Sequence, residues 1–220
     1  MSWDHSRING FTGRINLVEH RGFSAFVVMA HTSAIFSPPG NGGILLEAPE
    51  GDFRIDHDQK FNATTNLQYT IDKALGAWVA LSWRYDSGLV VGSVPSYADA
   101  LALIADQQSA IGLYCGNTFA SLGAPITSCS SANRGATRIV IPADGTEDDV
   151  TNPARIAPRN LFDLGAGVDN LLRTNRAKLR LHASVINLTN KEALYNFLST
   201  FSGTHFVTPR AFQLQLGVSF

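Results

Sequence analysis

The chain ends on a strict alternation. Over residues 210–220, Phe212, Leu214, Leu216, Val218 and Phe220 take every second position, and Gln213, Gln215, Gly217 and Ser219 fill the gaps. A strand points successive side chains to opposite faces, so this period predicts a strand with one apolar and one polar face. The pattern recurs upstream. Ala63, Thr65, Leu67, Tyr69 and Ile71 alternate with Asn62, Thr64, Asn66, Gln68 and Thr70; Ala77, Val79, Leu81, Trp83 and Tyr85 alternate with Trp78, Ala80, Ser82, Arg84 and Asp86. Phe162, Leu164, Ala166 and Val168 oppose Asp163, Gly165, Gly167 and Asp169, and Leu179, Leu181, Ala183 and Val185 oppose Arg180, His182 and Ser184. Near the start, Phe11, Gly13, Ile15 and Leu17 oppose Thr12, Arg14 and Asn16. Residues 23–34 also read as a strand, but apolar residues on both faces leave its outer side unassigned. The pattern amounts to about seven strands.

The connections sort by length. Residues 19–22, 72–76 and 170–178 make short links, whereas 32–61, 87–159 and 187–209 are long, and the two kinds alternate along the chain. Short turns at one end and long loops at the other are the rule for outer-membrane barrels, with the long loops outside the cell. Aromatic residues near several strand ends suit the interfacial girdles of such a wall. The expected fold class is therefore all-β: an antiparallel up-and-down transmembrane β-barrel segment of about seven strands covering residues 1–220. Parity adds a further expectation. A barrel that starts and ends in the periplasm has an even strand count, so at least one strand is expected to precede Met1, and the segment is expected to be open because truncated. Met1-Ser2-Trp3-Asp4-His5 also lacks the basic start and apolar core of a secretory signal. Within the longest loop, Ser96 with Asp99 three residues on predicts a capped helix with Tyr97, Leu101 and Ile104 on one face. Asp106 starts a second helical turn running to Cys115-Gly116, and Arg138-Ile139-Val140-Ile141 reads as a small extra strand.

Composition narrows the picture. Charged residues make up 16% of the chain, against roughly 25% in an ordinary soluble domain. Hydrophobic content is 45%, yet no run approaches the ~18 apolar residues of a membrane helix. Any membrane contact must therefore be made by strands. A net charge of −1 gives no electrostatic footprint for nucleic acid. Cys115 and Cys129 would close a ring of about 15 residues, a bond worth roughly 3 kcal/mol in the loop-entropy account. An oxidising compartment suits such a pair; two unpaired thiols are the alternative.

Four stretches and the last strand together resemble the end of TonB-dependent receptors, close to the Oar-type, carboxypeptidase-regulatory-like branch. They are Phe53-Arg54-Ile55-Asp56-His57-Asp58-Gln59-Lys60, Trp83-Arg84-Tyr85-Asp86-Ser87-Gly88, Asn187-Leu188-Thr189-Asn190-Lys191 and Ala193-Leu194-Tyr195-Asn196-Phe197. The resemblance covers most of the chain and implies a place in the outer membrane of a Gram-negative bacterium, as part of a receptor that takes up a scarce solute. It makes Phe212, Leu214, Leu216, Val218 and Phe220 the signal read by the barrel-assembly machinery. It also implies outer-membrane lipid, a plug with upstream strands, and the TonB energy-coupling complex as partners. The signal peptide, coupling box and plug of such receptors are not found in this sequence, and the solute cannot be named from it.

No enzyme site is expected. Serine in Gly-x-Ser-x-Gly, a phosphate loop and a dinucleotide fingerprint are all missing. Asp56-His57-Asp58 looks like a ligand cluster, but adjacent residues point apart, so a polar rim segment is the better reading. Asp144, Glu147, Asp148 and Asp149 lack the regular calcium-loop spacing and read as a solvated acidic loop. Asn62-Ala63-Thr64 and Asn187-Leu188-Thr189 match a glycosylation pattern that carries little meaning in a bacterial host. No catalytic, cofactor or metal residue is assigned. Arg84, Asp163, Asp169, Arg180 and His182 are expected to face a barrel lumen, where such charges line a permeation path or only solvate the wall. Two other architectures compete. A small self-contained barrel acting as anchor or adhesin needs an eighth strand, sought within residues 43–53. A soluble all-β enzyme or binding protein needs a second sheet or a ligand over the apolar faces.

Overall fold

Backbone pairing turns the alternation into a sheet. The computed structural model describes residues 5–38, 51–91, 94, 96–174, 176–199 and 202–220. The protein is all-β and its sheets are antiparallel. Seven long strands pair in chain order: β1 (His5–His20), β2 (Phe23–Ser37), β3 (Asn62–Asp72), β4 (Ala77–Asp86), β5 (Arg159–Val168), β6 (Lys178–Ile186) and β7 (Ala211–Ser219). A two-residue strand, Phe53–Arg54, pairs with the end of β2 beside this path. Consecutive antiparallel strands place Ser37, Asn62, Asp86, Arg159, Ile186 and Ala211, where the long connections leave and rejoin the sheet, at one end and the short turns at the other.

The short turns are built by residues that tolerate them. Arg21 and Gly22 both have positive φ, 54° and 87°, and sit between the paired residues His20 and Phe23. That is the two-residue hairpin turn whose twist matches its strands. At the next turn Asp72 Oδ1 accepts from the amides of Ala74 and Leu75, a side chain closing its own turn. Neighbouring turns are tied together, since the Thr70 amide donates to Gly22 O and the Asp169 amide to Gly76 O.

Register decides the faces. Leu17, Ala25, Leu67, Leu81, Leu164, Val185 and Phe212 form one continuous row of cross-strand partners over all seven strands. One residue along lies a polar row, Ser24, Gln68, Ala80, Gly165, Ser184 and Gln213. This assigns the strand whose outside the sequence left open: Phe23, Ala25, Val27 and Met29 join the apolar face. Phe26 lies on the polar face, where the Arg14 guanidinium sits 5.3 Å from its ring centroid. β2 also runs past residue 34 to Ser37, paired all the way to His5. Of the stretch 43–53, only 51–53 lie within the described residues; Phe53 opens the two-residue strand.

Nothing in the described chain covers the apolar face. Phe212 and Leu214 are each 76% exposed and Leu216 68%. The buried core sits instead among the long loops, where Val94, Ala100, Ile111, Leu113, Ile139, Ile156, Leu194 and Phe197 pack together. It is organised by α1 (Tyr97–Ala102) and α2 (Ala105–Ile111). Ser96 and Asp99 form the capping box at the start of α1. Gln108 of α2 is buried with its amide satisfied: Nε2 donates to Leu101 O and Ile126 O, and Oε1 accepts from the Ile126 amide.

Two local expectations are corrected. Ile104 is 64% exposed, because α1 stops at Ala102 and the chain turns before a third residue reaches the helix face. The second helix ends at Gly112, φ 65°, whose amide bonds back to Gln108 O and Ser109 O. Leu113–Cys115 then runs as a strand between Thr118–Phe119 and Arg134–Ala136. The extra strand is present as Ile139–Val140, paired with Arg155–Ile156.

Cys115 and Cys129 are bonded, with Cα atoms 5.7 Å apart, and both pack against the loop core. Reduction, or Cys129→Ser, is expected to cost about 3 kcal/mol and to act locally. Hydrogen exchange should speed up across residues 113–136 while amides of the seven long strands keep their protection. Equal loss of protection in both regions would refute the local role.

Candidate functional site

The strand ends beneath the long loops carry a layer of buried charge. Asp58 is fully buried. Its Oδ2 takes Arg155 Nη2 at 2.5 Å, and its Oδ1 takes Arg54 Nη1 at 3.1 Å and the Ala34 amide at 2.7 Å. Arg155 Nη1 also donates to the backbone oxygens of Asp58 and Gly88. Arg54 reaches Ser33 Oγ and, through Nε, the Val150 carbonyl. One carboxylate therefore joins β2, the 51–61 segment and the far end of the longest loop. A buried charge is stable only when paired and fully hydrogen-bonded, and Asp58 meets that condition.

A second charged group lies one strand pair further on. Arg159 and Asp86 are cross-strand partners. Arg159 is 1% exposed; its Nη2 lies 3.1 Å from Asp86 Oδ2, and its Nη1 donates to Leu194 O at 2.9 Å. Its guanidinium carbon sits 5.3 Å from the Tyr195 ring centroid. The Nη2 contact has ion-pair distance without hydrogen-bond geometry, so Nη2 and Nε have no hydrogen-bond partner. Gln59 Nε2 donates to the other Asp86 oxygen.

Beside Arg159 opens a cavity of about 470 Å³. Its floor is the polar sheet face, Arg84, Leu161, Asp163 and Ile186; its wall is the 187–209 loop, with Tyr195, Asn196, His205 and Phe206. That loop is held by Asn187, φ 50°, whose side chain donates to Lys191 O and Thr208 O and accepts from the Lys191 amide. Asp163 Oδ1 accepts from the Asn187 amide at 2.7 Å. Asn190, φ 51°, accepts from the Arg210 amide. Asparagine suits both positions because it adopts the left-handed conformation with little penalty.

The five charged residues singled out in the sequence share the polar face but not one site. Arg84 and Asp163 line the cavity under the loops. Asp169 and Arg180 lie at the opposite end, in a separate hollow with Lys73 and Lys178 near the short turns. His182 stands between: its Nε2 is 2.8 Å from Asp169 Oδ1 and its ring meets Trp78 edge-on at 5.3 Å. Trp78 lies over Gly165 and Gly167, where an added Cβ would come within 3.3 and 2.8 Å of the indole. Phe212, Leu214, Leu216, Val218 and Phe220 are all exposed.

The Asp56-His57-Asp58 cluster is split by a turn, closed by the Asp58 amide donating to Ile55 O at 2.9 Å. Asp56 Oδ1 contacts His57 Nδ1 at 2.6 Å and Oδ2 accepts from Ser199, while Asp58 turns inward to the arginines. Among the described residues no group of three or more His, Cys, Asp or Glu is placed to hold a metal ion. In the acidic loop Asp144 pairs with Arg134. Arg155, Arg159, Tyr195 and His205 were not singled out as site residues in the sequence. Arg155 lies in the two-residue strand Arg155–Ile156, Arg159 opens β5, and Tyr195 and His205 lie in the paired strands Leu194–Ser199 and Gly203–Phe206, which are too short or irregular to show a period.

No family model, no curated protein and no solved structure matches this chain. Fold and geometry define the class: an all-β, antiparallel protein whose apolar core lies in its loops.

Asp58→Asn should leave Arg155 buried without its counter-charge, at a cost of about 3–5 kcal/mol. Limited proteolysis should then cut within 51–61 and 87–158 at rates at least tenfold faster, with the disulfide intact. A second expectation concerns acid. The amides of Thr151 and Val150 donate to Asp148 Oδ1 at 2.5 and 2.9 Å, and these bonds hold its carboxyl below the usual aspartate range. A carboxyl lowered on folding favours the folded turn above its unfolded pKa, about 3.9. That contribution fades as pH falls through the lower folded value. The protection of amides in the 148–152 turn, taken relative to their intrinsic exchange rate at each pH, should fall on acidification from that range downward. Asp148→Asn should remove this dependence.

Proposed function

We propose that this chain is part of the wall of an outer-membrane β-barrel, the C-terminal barrel region of a TonB-dependent receptor for solute uptake. One observation carries the reading: an unbroken apolar row crosses seven strands with nothing over it, while the opposite face is polar. In water each such large apolar side chain forgoes roughly 1.5–3 kcal/mol of burial, and a contiguous exposed patch of this kind marks a contact surface. Hydrocarbon satisfies it. The polar rows then line a lumen, and the loop core with its disulfide forms an extracellular cap. Aromatic residues support the same orientation, with Trp83 and Tyr85 on the apolar face near the loops and the partners Phe23 and Tyr69 near the turns.

The two edges support a larger barrel. Among the described residues β1 and β7 end the sheet and each pairs on one side only. Unpaired backbone groups cost several kcal/mol each in hydrocarbon, so further strands of the same receptor would close the wall. Solute uptake would also need a plug and the TonB complex, and insertion would use the terminal strand ending at Phe220. A self-contained anchor or adhesin is less well supported, because Phe53–Arg54 lies beside the strand path and does not close it.

The test is fractionation. Sent to the periplasm behind a signal peptide, the chain by itself is expected to aggregate or be degraded unless detergent micelles cover its apolar face. Joined to further barrel strands that close its edges, it should fractionate with the outer membrane and run faster unboiled than boiled on a gel. A monomer that unfolds cooperatively in detergent-free buffer would falsify the membrane reading.

A further inference from the structure

Cations and anions in the cavity under the loops are not equally committed. Asp86 is engaged on both oxygens, by Gln59 Nε2 and by Arg159. Asp163 accepts the Asn187 amide. Arg84, by contrast, makes no hydrogen bond or ion pair within 4.0 Å among the described residues, and its side chain lies open to the cavity. Arg159, also lining it and 1% exposed, leaves Nε and Nη2 without hydrogen-bond partners. Buried N–H groups without partners are uncommon and point to a missing acceptor. Here two guanidinium groups border one cavity, and the second is held rigidly by Leu194 O and the Tyr195 ring.

The acceptor that suits them is an oxyanion, since guanidinium forks match carboxylate and phosphate oxygens. Charge selects between these. In total charge Asp86 and Asp163 offset the two arginines, although neither pairs with Arg84, so a dianionic phosphate would leave the cavity with two excess negative charges. A single carboxylate adds only one negative charge, beside the one arginine that lacks a counter-ion. Size and lining describe the remainder of the ligand. About 470 Å³ is room for a small molecule rather than an ion, and Leu161, Ile186 and Phe206 offer it an apolar wall.

We propose that this cavity binds a small monocarboxylate with an apolar or aromatic body, its carboxylate held by Arg84 beside the buried charge of Arg159. This names a ligand class for the receptor reading and rests on that reading only for its role in uptake. Binding itself follows from the cavity.

The experiment is calorimetric titration of the full chain with benzoate, acetate, benzyl alcohol and inorganic phosphate. It is run in buffer or detergent micelles, whichever keeps the chain folded, so a failed membrane reading leaves the titration interpretable. Benzoate should bind more tightly than acetate, benzyl alcohol or phosphate. Arg84→Gln should weaken benzoate roughly 10-fold to 100-fold, the usual effect of losing a charge-assisted bond; Arg84→Lys should fall between. Partition of benzoate into micelles is the same for every variant and cancels in the comparison. Arg84 is exposed on a strand face, and strand content by circular dichroism should be unchanged in both variants. Absence of benzoate binding would overturn the proposal, as would equal binding to Arg84→Gln, equal binding of benzyl alcohol, or tighter binding of phosphate.

Discussion

Strand register is the constraint on which the rest of this structure depends. Side chains alternate with period two, so slipping one strand by one residue would carry its whole apolar set to the opposite face. Seven strands hold the same register from Leu17 to Phe212, and the apolar row is unbroken only because every pairing agrees. The turns enforce it: two residues at Arg21-Gly22, an aspartate-closed turn at Asp72, and amide bonds from one turn to the next.

A sheet with an exposed apolar face has no core beneath it, and the chain places its core elsewhere. Apolar residues of the long loops cluster around Ile139, Ile156, Leu194 and Phe197, closed by a disulfide. Between that cluster and the sheet lie the buried ion pairs of Asp58 with Arg155 and of Asp86 with Arg159. Such pairs contribute little net stability, but breaking one is costly, so they hold loops in a defined position more than they hold the fold together. Neither pair is fully satisfied: Arg155 Nε and Arg159 Nε and Nη2 are buried without hydrogen-bond partners, and Arg159 borders a cavity.

Legibility followed periodicity. The strands at Asn62–Asp72, Ala77–Asp86 and Ala211–Ser219 could be read nearly to their ends, because a half-covered strand must alternate. The disulfide was the reading favoured for Cys115 and Cys129 over two unpaired thiols, and the bond is formed. The capping box at Ser96 was also visible, being a local hydrogen-bond pattern. The stop at Gly112 was missed because a left-handed cap depends on the next segment, which here pairs with Arg134–Ala136. The candidate cavity was only half visible. Arg84 and Asp163 stood out as charges on an alternating strand, whereas Arg159, Tyr195 and His205 lay where no period applies.

The sequence by itself determined where the seven long strands lie, which face of most of them is apolar, and which connections are long. These depend on near neighbours and on a backbone geometry common to all chains. The hairpin of Leu194–Ser199 with Gly203–Phe206 fell inside a stretch read as loop. Tertiary structure alone decided the outer face of β2, since both its faces carry apolar residues and only pairing with β3 distinguishes them. It also decided which arginine meets which aspartate. Arg155 finds Asp58 across 97 positions of chain, and no local pattern encodes a contact whose two halves are brought together only by the strands and loops between them.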